Sequence, residues 1–218
     1  MHRRIYFLTA LLFWAWIVPA AWADNGTMTH IVFRMVDPNI PEGHFAMAPK
    51  EIWRIDLQYM RMEEVPDPDR GIHGLVIVDE PNAFMINRYN NQGQHMVDPG
   101  PTFEVHMPIF PFRQSSETSK LEFGHELEFF SQRKAKKMPN VKAKGKRYKS
   151  YMLEIDGARL ILFVDEVTGK PTQLSLKSGK DDYSVHYDIY ESGLEPDMTL
   201  FKVPAGVKIS EAEAPSAH

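Results

Sequence analysis

Tyr148–Ile155 (YKSYMLEI), Asp156-Gly157 and Ala158–Val164 (ARLILFV) read together as two strands closed by a tight turn. Asp-Gly between two runs of alternating apolar residues is a strong hairpin signal, because both turn positions must adopt positive φ. The pattern continues downstream. Asp165–Pro171 (DEVTGKP) is a second turn, Thr172–Lys177 a third strand, and Tyr183–Glu191 (YSVHYDIYE) a fourth. In the fourth, Tyr183, Val185, Tyr187 and Ile189 fall on one parity and Ser184, His186, Asp188 and Tyr190 on the other. Side chains alternate faces along a strand, so the two sets are expected on opposite faces. Short strands with Asp, Gly and Pro punctuation predict an antiparallel meander.

The N-terminal half repeats the style. His30–Val36 (HIVFRMV), Glu51–Glu63 (EIWRIDLQYMRME), Gly74–Val78 (GLVIV) and Ala83–Tyr89 (AFMINRY) are strand candidates. Turns are expected at Asp79–Asn82 and at Asn90–Gly93. The middle differs. Asp98–Phe112 carries Pro99, Pro101, Pro108 and Pro111 among apolar residues. Proline cannot donate to a central ladder, so this is an apolar loop with a turn of helix. Ser116–Ala135 fits either periodicity: Leu121, Phe123, Leu127 and Phe129 alternate, whereas Phe123, Leu127 and Phe130 share a helix face. Ser116 with Glu117 as a start signal, and the Glu, Leu and Lys content, predict a helix lying on the concave side of the sheet.

The N-terminus addresses the chain. Arg3 and Arg4, the apolar run Ile5–Val18 and the small residues of Ala21-Trp22-Ala23 form a secretory signal pattern. The run is shorter than the ~20 residues that span a bilayer. Cleavage after Ala23 and a periplasmic destination are expected, with three parts: a signal peptide at 1–23, a domain at 24–209 and a disordered tail at 210–218. With no cysteine, the chain lacks disulfides, a thiol nucleophile and the attachment point of a bacterial lipoprotein. The net charge is −4, and without Arg3 and Arg4 the 25 basic side chains fall to 23 against 29 acidic, or −6. That balance argues against nucleic acid as a partner.

Catalytic patterns are missing. His125-Glu126 starts a zinc-protease motif, but position 129 is Phe rather than the second His. No serine sits in a nucleophile elbow and no glycine loop follows a strand to hold phosphate. The expectation is a protein that is not an enzyme and that carries neither metal nor cofactor.

Two other sets stand out. Twelve methionines is a high count, and thioethers suit surfaces that accept variable apolar ligands. Met60, Met62, Met85 and Met107, with Trp53, Tyr59, Phe84, Phe103, Phe110, Phe112, Phe123 and Leu127, are the candidate lining of an apolar trough. For any single methionine, ordinary core filling competes with this reading. The second set is basic. Arg133, Lys134, Lys136, Lys137, Lys142, Lys144, Lys146, Arg147 and Lys149 fall in seventeen residues without one acid. Pro139, Asn140 and Gly145 mark this as a loop that would meet anionic head groups or an acidic partner, or else protect a sheet edge.

The C-terminal third carries a resemblance. The strand, the Asp165-x-x-Thr168-Gly169 turn with Pro171, the tyrosine-rich strand and the closing Phe201-x-x-Pro204-x-Gly206-Val207 resemble the LolA/LolB superfamily, which includes the periplasmic outer-membrane lipoprotein carrier. KEIWRIDLQYM (50–60) and LVIVDEPNAFMINRY (75–89) look like its paired strands. The resemblance implies a mainly β, α+β fold: an unclosed antiparallel half-barrel with a helical lid on its concave face. It implies an apolar guest, a lipid acyl chain or lipoprotein, with only peripheral or transient membrane contact. The carriers have a lid arginine, and Arg54 lies in the nearest matching strand without being assigned that role. The expected function is a periplasmic lipid- or lipoprotein-binding carrier. The alternative is an envelope protein-interaction or sensor module that uses the basic segment and the sheet edge.

Overall fold

The computed structural model describes residues 26–41, 43–113, 117–179 and 181–212. The signal peptide expected at residues 1–23 lies outside the described residues. In chain order the strands are β1 (Met28–Val36), β2 (Lys50–Ile55), β3 (Tyr59–Glu64), β4 (Gly74–Asp79), β5 (Asn82–Asn87) and β6 (Gln92–Val97). Then come helix α1 (Glu126–Gln132) and β7 (Lys136–Ala143), β8 (Lys146–Ile155), β9 (Ala158–Asp165), β10 (Pro171–Ser178), β11 (Asp181–Leu194) and β12 (Lys208–Glu211). Among the described residues all twelve strands form one open sheet, in the order β12-β6-β5-β4-β3-β2-β1-β11-β10-β9-β8-β7. Each neighbouring pair is antiparallel except β12 with β6. The half-barrel class expected from the sequence is the class found.

Several boundaries differ from the sequence reading. Glu51–Glu63 is two strands, not one: Asp56 takes φ 47° and the chain folds back, pairing Ile52 with Met62 and Arg54 with Met60. The mixed parity of that stretch comes from the turn, which resets the alternation. The helix predicted over 116–135 is short. Glu117–Lys120 makes a 3-10 turn and α1 begins only at Glu126, after Gly124 at φ 90°. Ser116, the expected cap, lies outside the described residues. The supposed basic loop is a hairpin, β7 and β8, turning at Lys144-Gly145. The supposed tail contributes Ser210 and Glu211 to β12, so the ordered domain runs past 209. The fourth strand carries a bulge: Tyr187 pairs with Phe33 but Ile189 with Val32 and Tyr190 with Ile31. One extra residue flips the parity, so Tyr190 joins Tyr187 on one face and Ile189 goes to the other.

Strand registers assign the two faces. The inner face carries Ile31 and Phe33, Ile52 and Arg54, Met60 and Met62, Val185, Leu174 and Leu176, and Leu160 and Leu162. It forms the main core with Phe110, Leu121, Phe123, Phe129 and Phe130. The outer face of β1–β5 carries a second core. Met28, Ile55, Leu75, Ile77 and Ile86 pack against Phe201, with Leu194, Leu200, Val203 and Val207 beside them. Phe201 stands in a 3-10 turn whose cap, Asp197, accepts from the Thr199 N–H. Arg61 fastens this crossover by donating to the Leu200 carbonyl at 3.2 Å. Both Arg61 and Arg88 also reach Glu63. Burial works against the Glu63 carboxylate, but these two hydrogen bonds hold its pKa below the ordinary range.

Candidate functional site

The inner face is not empty. Residues 103–113 and 117–132 lie across it. Ile109, Phe110 and Leu121 have no exposed surface, and Phe123, Phe129 and Phe130 are buried beside them. Four prolines lie between positions 99 and 111, so the segment cannot extend the sheet. It pairs with itself instead: Pro108 bridges Glu122, and the Ile109 and Phe123 N–H groups donate to Leu121 and Met107 carbonyls. Nearer β3, Val105 and Met107 cover Met60, Met62 and Val78. This segment is a lid built from apolar side chains.

Side chains carry most of its polar anchorage to the sheet. Arg54, on β2, is 3% exposed and points inward. Its guanidinium donates to the Phe123 carbonyl at 2.7 Å and to its own turn, at the Asp56 carbonyl, at 2.9 and 3.1 Å. Glu122 lies 3.4 Å from the same guanidinium and 2.6 Å from His106 Nδ1, also of the lid. The second anchor is Glu126, in the first turn of α1 and wholly buried. Tyr187 and Tyr190 donate their hydroxyls to its two oxygens at 2.8 and 2.6 Å, and the Gly124 N–H donates at 3.0 Å. Burial pushes the Glu126 carboxyl above the ordinary carboxylate range, against the pull of those donors. Burial and the neighbouring carboxylate push both tyrosines up as well. The third anchor is the β8–β9 turn, where the Asp156 carboxylate accepts from the Thr118 N–H and its carbonyl from Arg113.

The expected trough set is divided. Met60, Met62 and Met107 converge on the inner face, and Met85 shares that face on β5 at 44% exposure. Phe110 and Phe123 belong to the lid and fill the space that they were expected to line. Trp53, Tyr59 and Phe84 lie on the opposite, outer face, beside the Phe201 core. Pairing explains this: Trp53 opposes His30 and Arg61, one residue out of step with inward Ile52 and Arg54. Phe103, Phe112 and Leu127 are largely exposed. Beyond the lid, Val76, Met85 and Gln94 border an open depression of about 680 Å³ that extends to Ile209. A smaller cleft of about 370 Å³ separates α1 from β8, lined by Leu127, Phe130, Lys134, Ala135 and Tyr151.

Arg54, Glu126, Tyr187 and Tyr190 have no role in the sequence reading. An arginine in register with inward Ile52 is a signal in itself, because a buried charge requires partners. The hairpin carries seven residues of the basic set, and Arg133 and Lys134 lie between α1 and β7. Arg133 pairs with Glu117 and Arg147 with Glu166. Lys134, Lys136, Lys137, Lys142, Lys144 and Lys149 have no ion pair among the described residues. Among those residues no three His, Asp or Glu side chains gather to hold a metal, and no helix is long and apolar enough to cross a membrane.

No family model and no curated protein matches the chain. Among solved structures it is similar to an uncharacterized conserved protein from Thermus thermophilus, at 7% identity and TM-score 0.49, over 86% of this chain and 91% of that one. It is similar to MucB in the Pseudomonas aeruginosa MucA/MucB complex, at 11% identity and TM-score 0.45, over 86% of this chain and 59% of that one. A LolA superfamily protein from Nitrosomonas europaea matches at 7% identity and TM-score 0.32, over 82% and 91%.

Proposed function

We propose that this protein is an exported carrier that holds an apolar chain, a lipid acyl chain or the lipid of a lipoprotein, on the inner face of its sheet, and that it is not an enzyme. The lid is the occupant when no guest is bound. The observation that supports the reading most is the way the lid is seated: an apolar plug on an apolar sheet, fixed by Arg54, the Glu126–tyrosine group and the Asp156 turn. Burying Ile109, Phe110, Leu121, Phe123, Phe129 and Phe130 is worth roughly 9–18 kcal/mol at about 1.5–3 kcal/mol each. A sixteen-carbon acyl chain at about 0.8 kcal/mol per CH₂ recovers roughly 12 kcal/mol. The two ranges overlap, so a guest can compete with the plug. The open depression at Val76 and Met85 gives it a place to start.

The domain is proposed to act in the periplasm after removal of residues 1–23. An environment-sensitive apolar dye tests the reading. Fluorescence should rise on mixing, palmitate or a lipopeptide should reverse it, and Met62→Asp should weaken it by more than tenfold. If the wild-type protein and a lid-loosened Phe110→Ala variant both leave the dye unchanged, the carrier reading fails.

A further inference from the structure

We infer that the β7–β8 hairpin docks the protein on the surface of an anionic phospholipid bilayer. The hairpin ends the sheet, and β7 is exposed along nearly all its length. With a net charge of −4 for the chain and nine cations in residues 133–149, the rest of the protein carries −13. Such separation orients a molecule in the field of an anionic surface, basic end first.

The pairing register spreads the cations over both faces. Lys137, Lys142 and Lys149 share the inward side, Lys136 and Lys146 the other, and Lys144 takes the tip. Val141 stands between them at 41% exposure, an apolar contact at the height of the head groups.

A bare sheet edge can instead accept an extended acidic peptide as a further strand. Here β7 opposes that. Pro139 has no N–H to offer, and the register breaks between Met138 and Val141. What remains is a dense charge without a hydrogen-bonding register, which suits a fluid layer of phosphate groups better than a peptide of fixed spacing. Such docking would also bring α1 and the cleft at Leu127 and Lys134 close to the bilayer. It does not depend on the carrier reading.

The test is cosedimentation of the full domain with vesicles of phosphatidylcholine alone or mixed with phosphatidylglycerol. The expected result is binding only to the mixed vesicles, released by added sodium chloride. Combining Lys136→Glu, Lys137→Glu, Lys142→Glu and Lys144→Glu should lower vesicle affinity by more than about tenfold. A parallel set with Gln in place of Glu, checked by its thermal melt, guards against misfolding and should lose affinity in the same direction. Dye binding, read separately, should survive in both sets, so failure of docking and failure of the carrier reading are distinguishable. The inference is overturned if the wild-type protein ignores phosphatidylglycerol vesicles, including the case in which it binds immobilised polyglutamate instead. It is also overturned if the charge-reversed set still sediments with them.

Discussion

Arg54 shows how a buried cation can join two layers of a fold. Its guanidinium satisfies two backbone carbonyls on different segments, Asp56 on the sheet and Phe123 on the lid, and it is within reach of Glu122. Hydrogen bonds to a charged group contribute about 1.5–3 kcal/mol each. Arg54→Leu should lower urea stability by about 2–3 kcal/mol and leave the Phe123 carbonyl without its donor. Arg54→Lys should not restore it, because a single ammonium cannot reproduce the planar fork. Restoration to the wild-type midpoint by lysine would show that only charge matters. Glu126 makes a second prediction. Its folded pKa lies above its ordinary 4.5, so the folded protein favours the neutral acid. Stability from this group is full below 4.5 and is lost as pH rises through the folded value. Glu126→Gln keeps an acceptor for the tyrosines and removes the ionisation. Urea unfolding from acid to neutral pH should show a shallower decline for the variant, which should equal or exceed the wild type at neutral pH. Parallel profiles would contradict this. Arg54 carries a signal in its parity with Ile52, whereas Glu126 carries none: its Tyr187–Tyr190 pair depends on a bulge that strict alternation conceals.

At the scale of elements, long alternating strands are legible in the sequence and breaks in them are not. The β8–β9 hairpin follows its Asp-Gly, whereas the β2–β3 hairpin turns at Asp56-Leu57-Gln58, with neither Gly nor Pro to mark it. The basic run reads as a loop because Pro139, Asn140 and Gly145 punctuate it. β7 forms because it pairs with β8, where Tyr148 opposes Val141 and Tyr151 opposes Lys137. α1 is short because Gly124 at φ 90° ends any earlier helix, and because Leu121 and Phe123 are committed to the lid. β12 carries no apolar alternation of its own and depends on its partner. A Cβ at Gly93 would lie 2.8 Å from Ile86, and 2.9 Å from both Ile209 and the Met85 carbonyl oxygen. Gly93→Ala should therefore cost about 1–3 kcal/mol. It should also release β12, seen as faster proteolysis of the C-terminus. Unchanged proteolysis would show that the strand tolerates the side chain.

The whole molecule places two cores on opposite faces of one sheet. On the outer face the crossover around Phe201 is held by its own packing and by Arg61. On the inner face the lid is the layer proposed to give way to a guest. The motif around Phe201 to Val207 makes the outer closure legible, since an aromatic plug followed by Pro204 and Gly206 marks where the chain leaves the sheet. The trough cannot be read in the same way. Composition supplies the right residue types, but face assignment depends on register, and that sends Trp53, Tyr59 and Phe84 outward. The division has a consequence. Phe201→Ala should destabilise the protein by about 3–5 kcal/mol in urea while leaving dye affinity unchanged below the transition. Loss of dye binding in the folded variant would place the guest on the wrong face.

Hydrogen–deuterium exchange across residues 103–132, with and without saturating lipopeptide, tests the central claim most directly. Exchange of the lid with a guest predicts faster exchange at the Ile109, Leu121 and Phe123 amides, while β9, β10 and β11 stay protected. Unaltered protection of those three amides in protein that has demonstrably bound the lipopeptide would contradict it.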